Sequence, residues 1–335
     1  MRVEFKELGK SGVKVSAIGI GTWQWGSREW GWERDYGRED VLAAFQYALE
    51  SGINFVDTAE IYGRGKSERL VGEAIKHHRD EIVIATKVWP WNLTSGRLIR
   101  AVERSATRLG VDVIDLYQIH WPNPIFPIGN TMKAMKRLVR LGKVRFVGIS
   151  NFGLARTKAA QEALLPLELV SNQVKYNLID RKAETNLLPY AQDSGLTIIA
   201  HTPLARALLT GKFIRGMRPN SLAQAASPKF SPRNLARMDN LQKTLSSISA
   251  ARSKTHSQIA LNWLISKENV VAIPGTKTPK HIADSAGAVG WRLSEDECRL
   301  LESVASGMQF HTFSVIPNLL RAIFREAMSV QLASK

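Results

Sequence analysis

The sequence is short of several things, and each shortage removes a class of protein. Among 335 residues there is one cysteine, Cys298, so no intramolecular disulfide can form and the core is held by packing alone. A lone thiol fits a reducing compartment. No apolar run approaches the ~18–20 residues that a membrane-spanning helix needs. The opening residues, Met1-Arg2-Val3-Glu4-Phe5-Lys6-Glu7, are charged and lack the apolar core of a signal peptide, so a cytoplasmic protein without a membrane span is expected. Acidic residues are in the minority, 30 against 46 Lys and Arg, which gives a net charge of +16. Such an excess attracts polyanions, anionic lipid or phosphorylated cofactors. The basic residues, however, are scattered, as in Arg137, Arg140, Lys143 and Arg145, and no nucleic-acid-binding motif accompanies them, so no nucleic-acid partner is expected. His77, His78, His256, His281 and His311 form no ligand pattern, and no metal is expected.

What is present is alternation. Hydrophobic residues make up 44% of the chain, ample for a large core. A hairpin spans residues 5–15 with its turn at Gly9-Lys10-Ser11-Gly12. A first core strand follows at 17–21 and ends in Gly21, before a segment rich in aromatics: Trp23, Trp25, Trp30, Trp32 and Tyr36. Helical patterns at 39–51, 67–77, 98–109, 131–141, 153–164 and 183–194 then alternate with short apolar runs at 53–57, 82–87, 114–120, 144–150, 169–173 and 196–201, and a last strand lies at 270–273. Counted from Ile18 there are eight strands with helices between them, which predicts a (β/α)8 TIM barrel with an N-terminal β-hairpin. A doubly wound sheet is the alternative, but no Gly-x-Gly-x-x-Gly follows the first strand. The connection after strand seven is far longer than an ordinary loop. Its stretch 211–231 reads as a mobile lid, with helices predicted at 234–252 and 257–267. A helix at 295–305 starts after Ser294, with Glu297 completing a capping box. One barrel domain, 1–310, and a C-terminal tail, 311–335, expected to be an amphipathic helix with the apolar stripe Leu319, Leu320, Ile323, Phe324 and Ala327, complete the chain.

Chemistry collects at the carboxyl ends of barrel strands. Asp57-Thr58-Ala59-Glu60-Ile61-Tyr62-Gly63 begins at one such end. A single Asp and Tyr there would read as a helix cap and a core aromatic. Two later strand ends, Lys87 and His120, change that reading, because Asp, Tyr, Lys and His on three successive strands make an acid–base constellation. Reducing a carbonyl needs a hydride, which a nicotinamide supplies, and a proton from a positioned acid. Tyr62 serves as that acid if Lys87 lowers its pKa, with Asp57 holding Lys87 and His120 donating a hydrogen bond to the substrate oxygen.

At these residues the chain resembles the aldo-keto reductases, from the hairpin to about Leu300. Asp57 to Gly63 matches the family's Asp-x-Ala-x-x-Tyr-Gly, Thr86-Lys87 its lysine and Ile119-His120 its histidine, so the four members of the family's catalytic tetrad are in place. The resemblance implies cofactor contacts from Gly21, Thr22 and Trp23. It places Ser150, Asn151 and Gln173 on the nicotinamide carboxamide and Tyr176 as the stacking aromatic. Thr202, Pro203, Leu204 and Lys212 would lie over the pyrophosphate, and Ile273, Pro274, Gly275, Thr276 and Lys277 at the adenosine phosphate, with His281, Asp284 and Ser285 at the adenine. Lys277 points to NADPH, with NADH as the second candidate. Three departures stand out: His201-Thr202-Pro203-Leu204 replaces Tyr-Ser-Pro-Leu, Arg206 stands where small residues are common, and His281, Asp284 and Ser285 stand where many relatives have Arg or Gln, Glu and Asn. Trp23, Trp89 and Trp121 follow strands and are expected to line an apolar site for a small-molecule carbonyl substrate. The competing reading is a cofactor-binding regulatory subunit similar to the potassium-channel β subunits of the same family, for which the basic charge and the tail suit a docking role. No oligomer is predicted.

Overall fold

The computed structural model describes residues 3–213, 218, 219, 221–306, 308 and 310; the expected tail helix at 311–335 lies outside them. β1 (Phe5–Glu7) and β2 (Lys14–Ser16) form an antiparallel hairpin. Eight parallel strands follow: β3 (Ile20–Gly21), β4 (Phe55–Asp57), β5 (Val83–Val88), β6 (Ile114–Ile119), β7 (Val144–Ser150), β8 (Leu169–Lys175), β9 (Thr197–His201) and β10 (Val270–Ile273), each paired with the next in sequence. Parallel bridges from Ile18 to Ala272 and from Gly21 to Gly275 join the first strand to the last, so the sheet closes into a barrel. The outer layer is α1 (Arg38–Glu50), α2 (Lys66–Ala74), α3 (Ser95–Leu109), α4 (Ile128–Arg140), α5 (Leu154–Leu164), α6 (Leu187–Ser194), α7 (Leu222–Ala225), α8 (Pro232–Arg237), α9 (Asp239–Arg252), α10 (His256–Ile265), α11 (Pro279–Ala286) and α12 (Glu295–Ser306). No helix among the described residues is long and apolar enough to cross a membrane.

The period of two along each strand sorts the barrel interior into layers. Phe55, Val83, Ala85, Leu116, Val170, Ile199, Val271 and Ile273 form an apolar cluster inside the barrel, and Leu8 and Val15 of the hairpin join it. The hairpin therefore stoppers the amino-terminal end. It approaches closely at Gly9, where φ is +60° and an added Cβ would lie 2.6 Å from the Val170 Cα, so only glycine fits. Further along the same inward faces the side chains turn polar: Asp57, Lys87, Gln118, Ser150 and Gln173, all buried.

Most of the expected helices are present, with shifted ends. The helix expected over 234–252 is two helices that meet at Met238. The earlier start of α8 follows from Ser231-Pro232: the serine hydroxyl accepts from the Asn234 amide at 3.3 Å, and proline occupies the first helical position. α11 was not expected, although Thr278-Pro279 carries the same start signal. The predicted capping box of α12 is present, with Ser294 N to Glu297 Oε2 at 2.7 Å and Glu297 N to Ser294 Oγ at 3.2 Å. The described part of the expected lid holds α7 and a 3-10 turn at Pro228–Phe230.

Leu8 is fully buried in the stopper. Leu8→Ala is expected to lower unfolding stability by about 2–5 kcal/mol, read by urea denaturation, while turnover at the opposite end of the barrel persists at temperatures where the variant is folded.

Candidate active site

The polar end of the barrel is organised by one buried cation. Lys87 of β5 is wholly inaccessible, and its Nζ donates to Asp57 Oδ1 at 2.5 Å, to the Thr58 carbonyl at 2.8 Å and to Tyr62 Oη at 3.4 Å. All three donor positions of the ammonium are thereby used. The second oxygen of Asp57 accepts from Gln118 Nε2 at 3.1 Å and from Gln173 Nε2 at 2.7 Å. A buried ion pair is tolerable only when its remaining lone pairs are satisfied, and here they are. Tyr62 opens the 3-10 turn that follows β4, which swings its ring back over the strand end.

His120, just past β6, is anchored through its backbone: its amide donates to the Val88 carbonyl at 3.1 Å, and its carbonyl accepts from Asn151 Nδ2 at 3.0 Å. Its ring meets Tyr62 edge-on at 5.8 Å, Trp89 edge-on at 5.9 Å, and Trp121 stacked at 6.5 Å. Trp23 stacks on Tyr62 at 6.2 Å. The four tetrad candidates and the three tryptophans expected to line the substrate site are thus brought together. Trp121 is 47% exposed at the rim.

The electrostatics correct one expectation. Burial is the largest influence on Tyr62 and raises its pKa; Lys87 opposes this, Asp57 adds to it, and the net direction is upward rather than downward. Tyr62 therefore keeps its proton at neutral pH. For Lys87 burial favours the neutral form, but Asp57 and Tyr62 together outweigh it and hold the ammonium charged. Burial, then Lys87 and His201, push His120 down to about 2, so its imidazole is neutral; its Nδ1 is buried without a partner among the described residues.

The expected cofactor residues divide. Asn151, Thr202 and Leu204 sit partly open at the barrel mouth, and Lys212 and Gly275 are exposed. Asn151 and Thr202 both have positive φ, 64° and 55°. Lys277 and His281 adjoin, with Lys277 N donating to His281 Nδ1 at 3.3 Å. Burial, then Lys212 and Lys277, lower His281 to about 4, which marks a positive cluster there. Four other candidates are buried or already hydrogen-bonded within the protein. Tyr176 is wholly buried, its ring 5.4 Å from Trp263 and its hydroxyl donating to Glu184 at 2.8 Å, so it has no free face for stacking. Thr22 is wholly buried, and its hydroxyl is 2.9 Å from the Asp57 carbonyl and 2.8 Å from Ser67 Oγ. The amide nitrogen of Gln173 is committed to Asp57. Ser285 is buried, and its neighbour Asp284 accepts from Thr255 at 2.6 Å. Pro203, Ile273, Pro274 and Thr276 are also buried; the Thr276 carbonyl accepts the Trp25 indole at 2.9 Å and its amide donates to the Gly21 carbonyl at 3.2 Å. Ser150 is buried beneath Asn151, with its hydroxyl on the Gln173 carbonyl at 2.9 Å.

Sequence reasoning missed Gln118, Glu60 and the placement of His201. Gln118 was legible, since it lies two residues before His120 and shares its face. Glu60 accepts from the Trp89 amide at 2.6 Å and from Asn92 at 3.0 Å, fixing the tryptophan loop, and no pattern announced it. His201 joins Asn151 Oδ1 at 3.1 Å and Thr202 Oγ1 at 3.0 Å, so a flat ring stands beside Asn151 where Tyr176 does not.

The profile of the aldo/keto reductase family matches residues 17–306. The chain belongs to the aldo/keto reductase family. An uncharacterized oxidoreductase of Mycobacterium tuberculosis is 39% identical over 310 residues, covering 90% of this chain and 95% of that one. The NADH-specific methylglyoxal reductase of Escherichia coli is 30% identical over 325 residues, covering 90% and 98%. Among solved structures, an aldo/keto reductase from Klebsiella pneumoniae in complex with NADP and acetate superposes with a TM-score of 0.74 at 30% identity, covering 93% of this chain and 99% of that one. As a member of the family, the protein is an NAD(P)H-dependent oxidoreductase of carbonyl compounds.

Removing the ammonium leaves Asp57 buried and unpaired. Lys87→Met is expected to destabilise the fold by about 3–5 kcal/mol, and adding Asp57→Asn to recover a measurable part of that loss, read as denaturation midpoints in a double-mutant cycle. Additive losses would mean that the pair is not coupled.

Proposed function

We propose that the protein reduces an aldehyde or ketone to the alcohol with NADPH, Tyr62 being the proton donor. The observation that carries this reading is the placement of Lys87 between Asp57 and Tyr62, with His120 alongside. When bound, the nicotinamide supplies the hydride. The chain supplies the proton and the charge. Tyr62 holds its proton at Oη, and as that proton passes to the substrate oxygen the Lys87 ammonium, 3.4 Å away, stabilises the phenolate left behind. Neutral His120 donates to the same substrate oxygen and fixes its direction. Trp23, Trp89 and Trp121 form an apolar collar that orients the carbonyl and keeps water from it. In this reading Asn151 and Ser150 would hold the carboxamide, and Thr202, Leu204 and Lys212 would lie along the pyrophosphate. Lys277 and His281 would meet the adenosine end.

The choice of NADPH rests on Lys277, which would supply positive charge beside a 2′-phosphate. The Klebsiella relative is in complex with NADP, whereas the Escherichia coli one is named NADH-specific, and Lys277 favours the reading of NADPH here. Lys277 Nζ donates to the Trp30 carbonyl at 2.6 Å and lies 4.4 Å over the Tyr36 ring, and burial lowers its pKa to about 8.

Tyr62→Phe is expected to bind NADPH with unchanged affinity, followed by fluorescence, and to turn over at least about a hundredfold more slowly; a variant as active as the wild type would remove Tyr62 from its role. Because Lys277 is charged below its folded pKa and neutral above it, the preference for NADPH over NADH is expected to fade as pH rises through about 8. Lys277→Met should lower the preference and flatten that profile, as read from dissociation constants of both cofactors between pH 6 and pH 10.

A further inference from the structure

The active site uses little of the net charge of +16, and part of the remainder lies on one outer face of the barrel. α3 packs against α4, and the outward sides of both are basic. Arg97, Arg100 and Arg104 recur at helical spacing along α3, and Lys133, Arg137 and Arg140 along α4, all of them exposed. Glu103 is the one acidic residue of α3, and α4 has none. Arg104 meets Glu60 loosely at 4.0 Å, while the other five have no ion pair among the described residues. Arg108, the remaining cation of α3, is spent on Glu68 at 2.5 Å and takes no part. Six like charges on helices about 10 Å apart repel one another over roughly a Debye length, and nothing within the fold offsets that repulsion. The face therefore attracts anions.

At the mouth end of the same two helices the surface turns apolar. Trp91, just before α3, is 52% exposed, and Ile125, just before α4, is 65% exposed. Their loops are tied together, because Asn123 Nδ2 donates to the Pro90 carbonyl at 3.0 Å. Arg97 Nη1 donates to the Trp91 carbonyl at 3.3 Å, so the basic stripe begins where the apolar rim ends. Neither Trp91 nor Ile125 belongs to the tryptophan collar at His120. The loops follow β5 and β6, the third and fourth of the eight barrel strands, whereas Lys277 and His281 follow the eighth, on the opposite arc.

We propose that this face rests on an anionic lipid surface, with the basic stripes of α3 and α4 at the headgroup phosphates and Trp91 and Ile125 dipping into the boundary of the acyl chains. Such a partner uses both halves of the face: the guanidinium groups match phosphate oxygens, and the apolar rim leaves water. A nucleic acid would satisfy the arginines but gives an exposed isoleucine nothing to bury against. Contact through one arc leaves the opposite arc of the mouth in water, where a soluble cofactor exchanges freely.

The test sediments the full-length protein with vesicles of phosphatidylcholine alone, or of phosphatidylcholine and phosphatidylglycerol in a two-to-one ratio, at low and at high salt. The wild type is expected to bind the anionic vesicles at least about a hundredfold more tightly than the neutral ones, each basic side chain at such a surface contributing about fivefold. That binding should weaken as salt rises. Arg100→Glu combined with Arg137→Glu should weaken it by at least about thirtyfold. Trp91→Ser combined with Ile125→Ser should weaken it by about tenfold and leave its salt dependence unchanged. Urea midpoints close to that of the wild type show that both double variants are folded. A wild type that ignores the anionic vesicles at low salt overturns the proposal. So does binding that survives the two arginine reversals, because the contact then lies elsewhere in the chain. Binding that needs the arginines but not Trp91 and Ile125, and that a DNA duplex displaces, overturns it too, because the face then meets polyanions rather than a bilayer.

Discussion

Everything at the mouth of this barrel depends on a lysine ammonium held out of water against one carboxylate. The pair survives burial because its remaining valences are filled: Thr58 and Tyr62 take the other ammonium protons, and Gln118 and Gln173 fill the second carboxylate oxygen. The pair and those partners come from four strands, β4, β5, β6 and β8, or the turns just after them, so the ion pair forms only when the barrel closes. Conversely, closure brings an undissociated phenol to within 3.4 Å of a fixed positive charge. Structure and chemistry here are one arrangement seen from two sides, and the neutral His120 is tuned by the same charge.

The architecture was readable because period-two apolar runs separated by helical patterns have few other solutions. The tetrad was readable for a related reason: an Asp, a Lys and a His that end strands are unusual enough to notice. What could not be read was side-chain direction after a strand ends. Tyr176 follows β8 by a single residue, and sequence offers no way to tell that its ring turns outward against Trp263 rather than over the mouth. Thr22 is a similar case, its hydroxyl spent on the Asp57 carbonyl. The sign of the Tyr62 shift was missed because desolvation depends on the whole collar of neighbours, whereas the pairing with Lys87 depends on one. Helix ends moved where caps were overlooked, as at Ser231-Pro232 and Thr278-Pro279.

The large positive charge also acquires a geography. In sequence the cations look scattered, but folding gathers some of them around the mouth. Lys212 and Lys277 stand near His281 in one sector, and Lys175, Arg206 and Lys229 surround Asp180 in another. The turn between them carries Thr202, Ala205, Arg206 and Ala207 at positive φ, a conformation that costs non-glycine residues free energy and is kept where the surroundings impose it. A strained turn with charge on either side is consistent with a mouth shaped for phosphorylated or otherwise anionic molecules.

The hairpin has an implication for traffic. With Leu8 and Val15 packed into the amino-terminal end and the interior filled with hydrocarbon, the barrel has no rear exit. Whatever reaches Lys87 passes Trp23, Trp89 and Trp121 on the way in and passes them again on the way out. Two reactants that meet at such a dead end share one doorway. The packed interior, sealed by the hairpin, thus leaves the active site a single entrance.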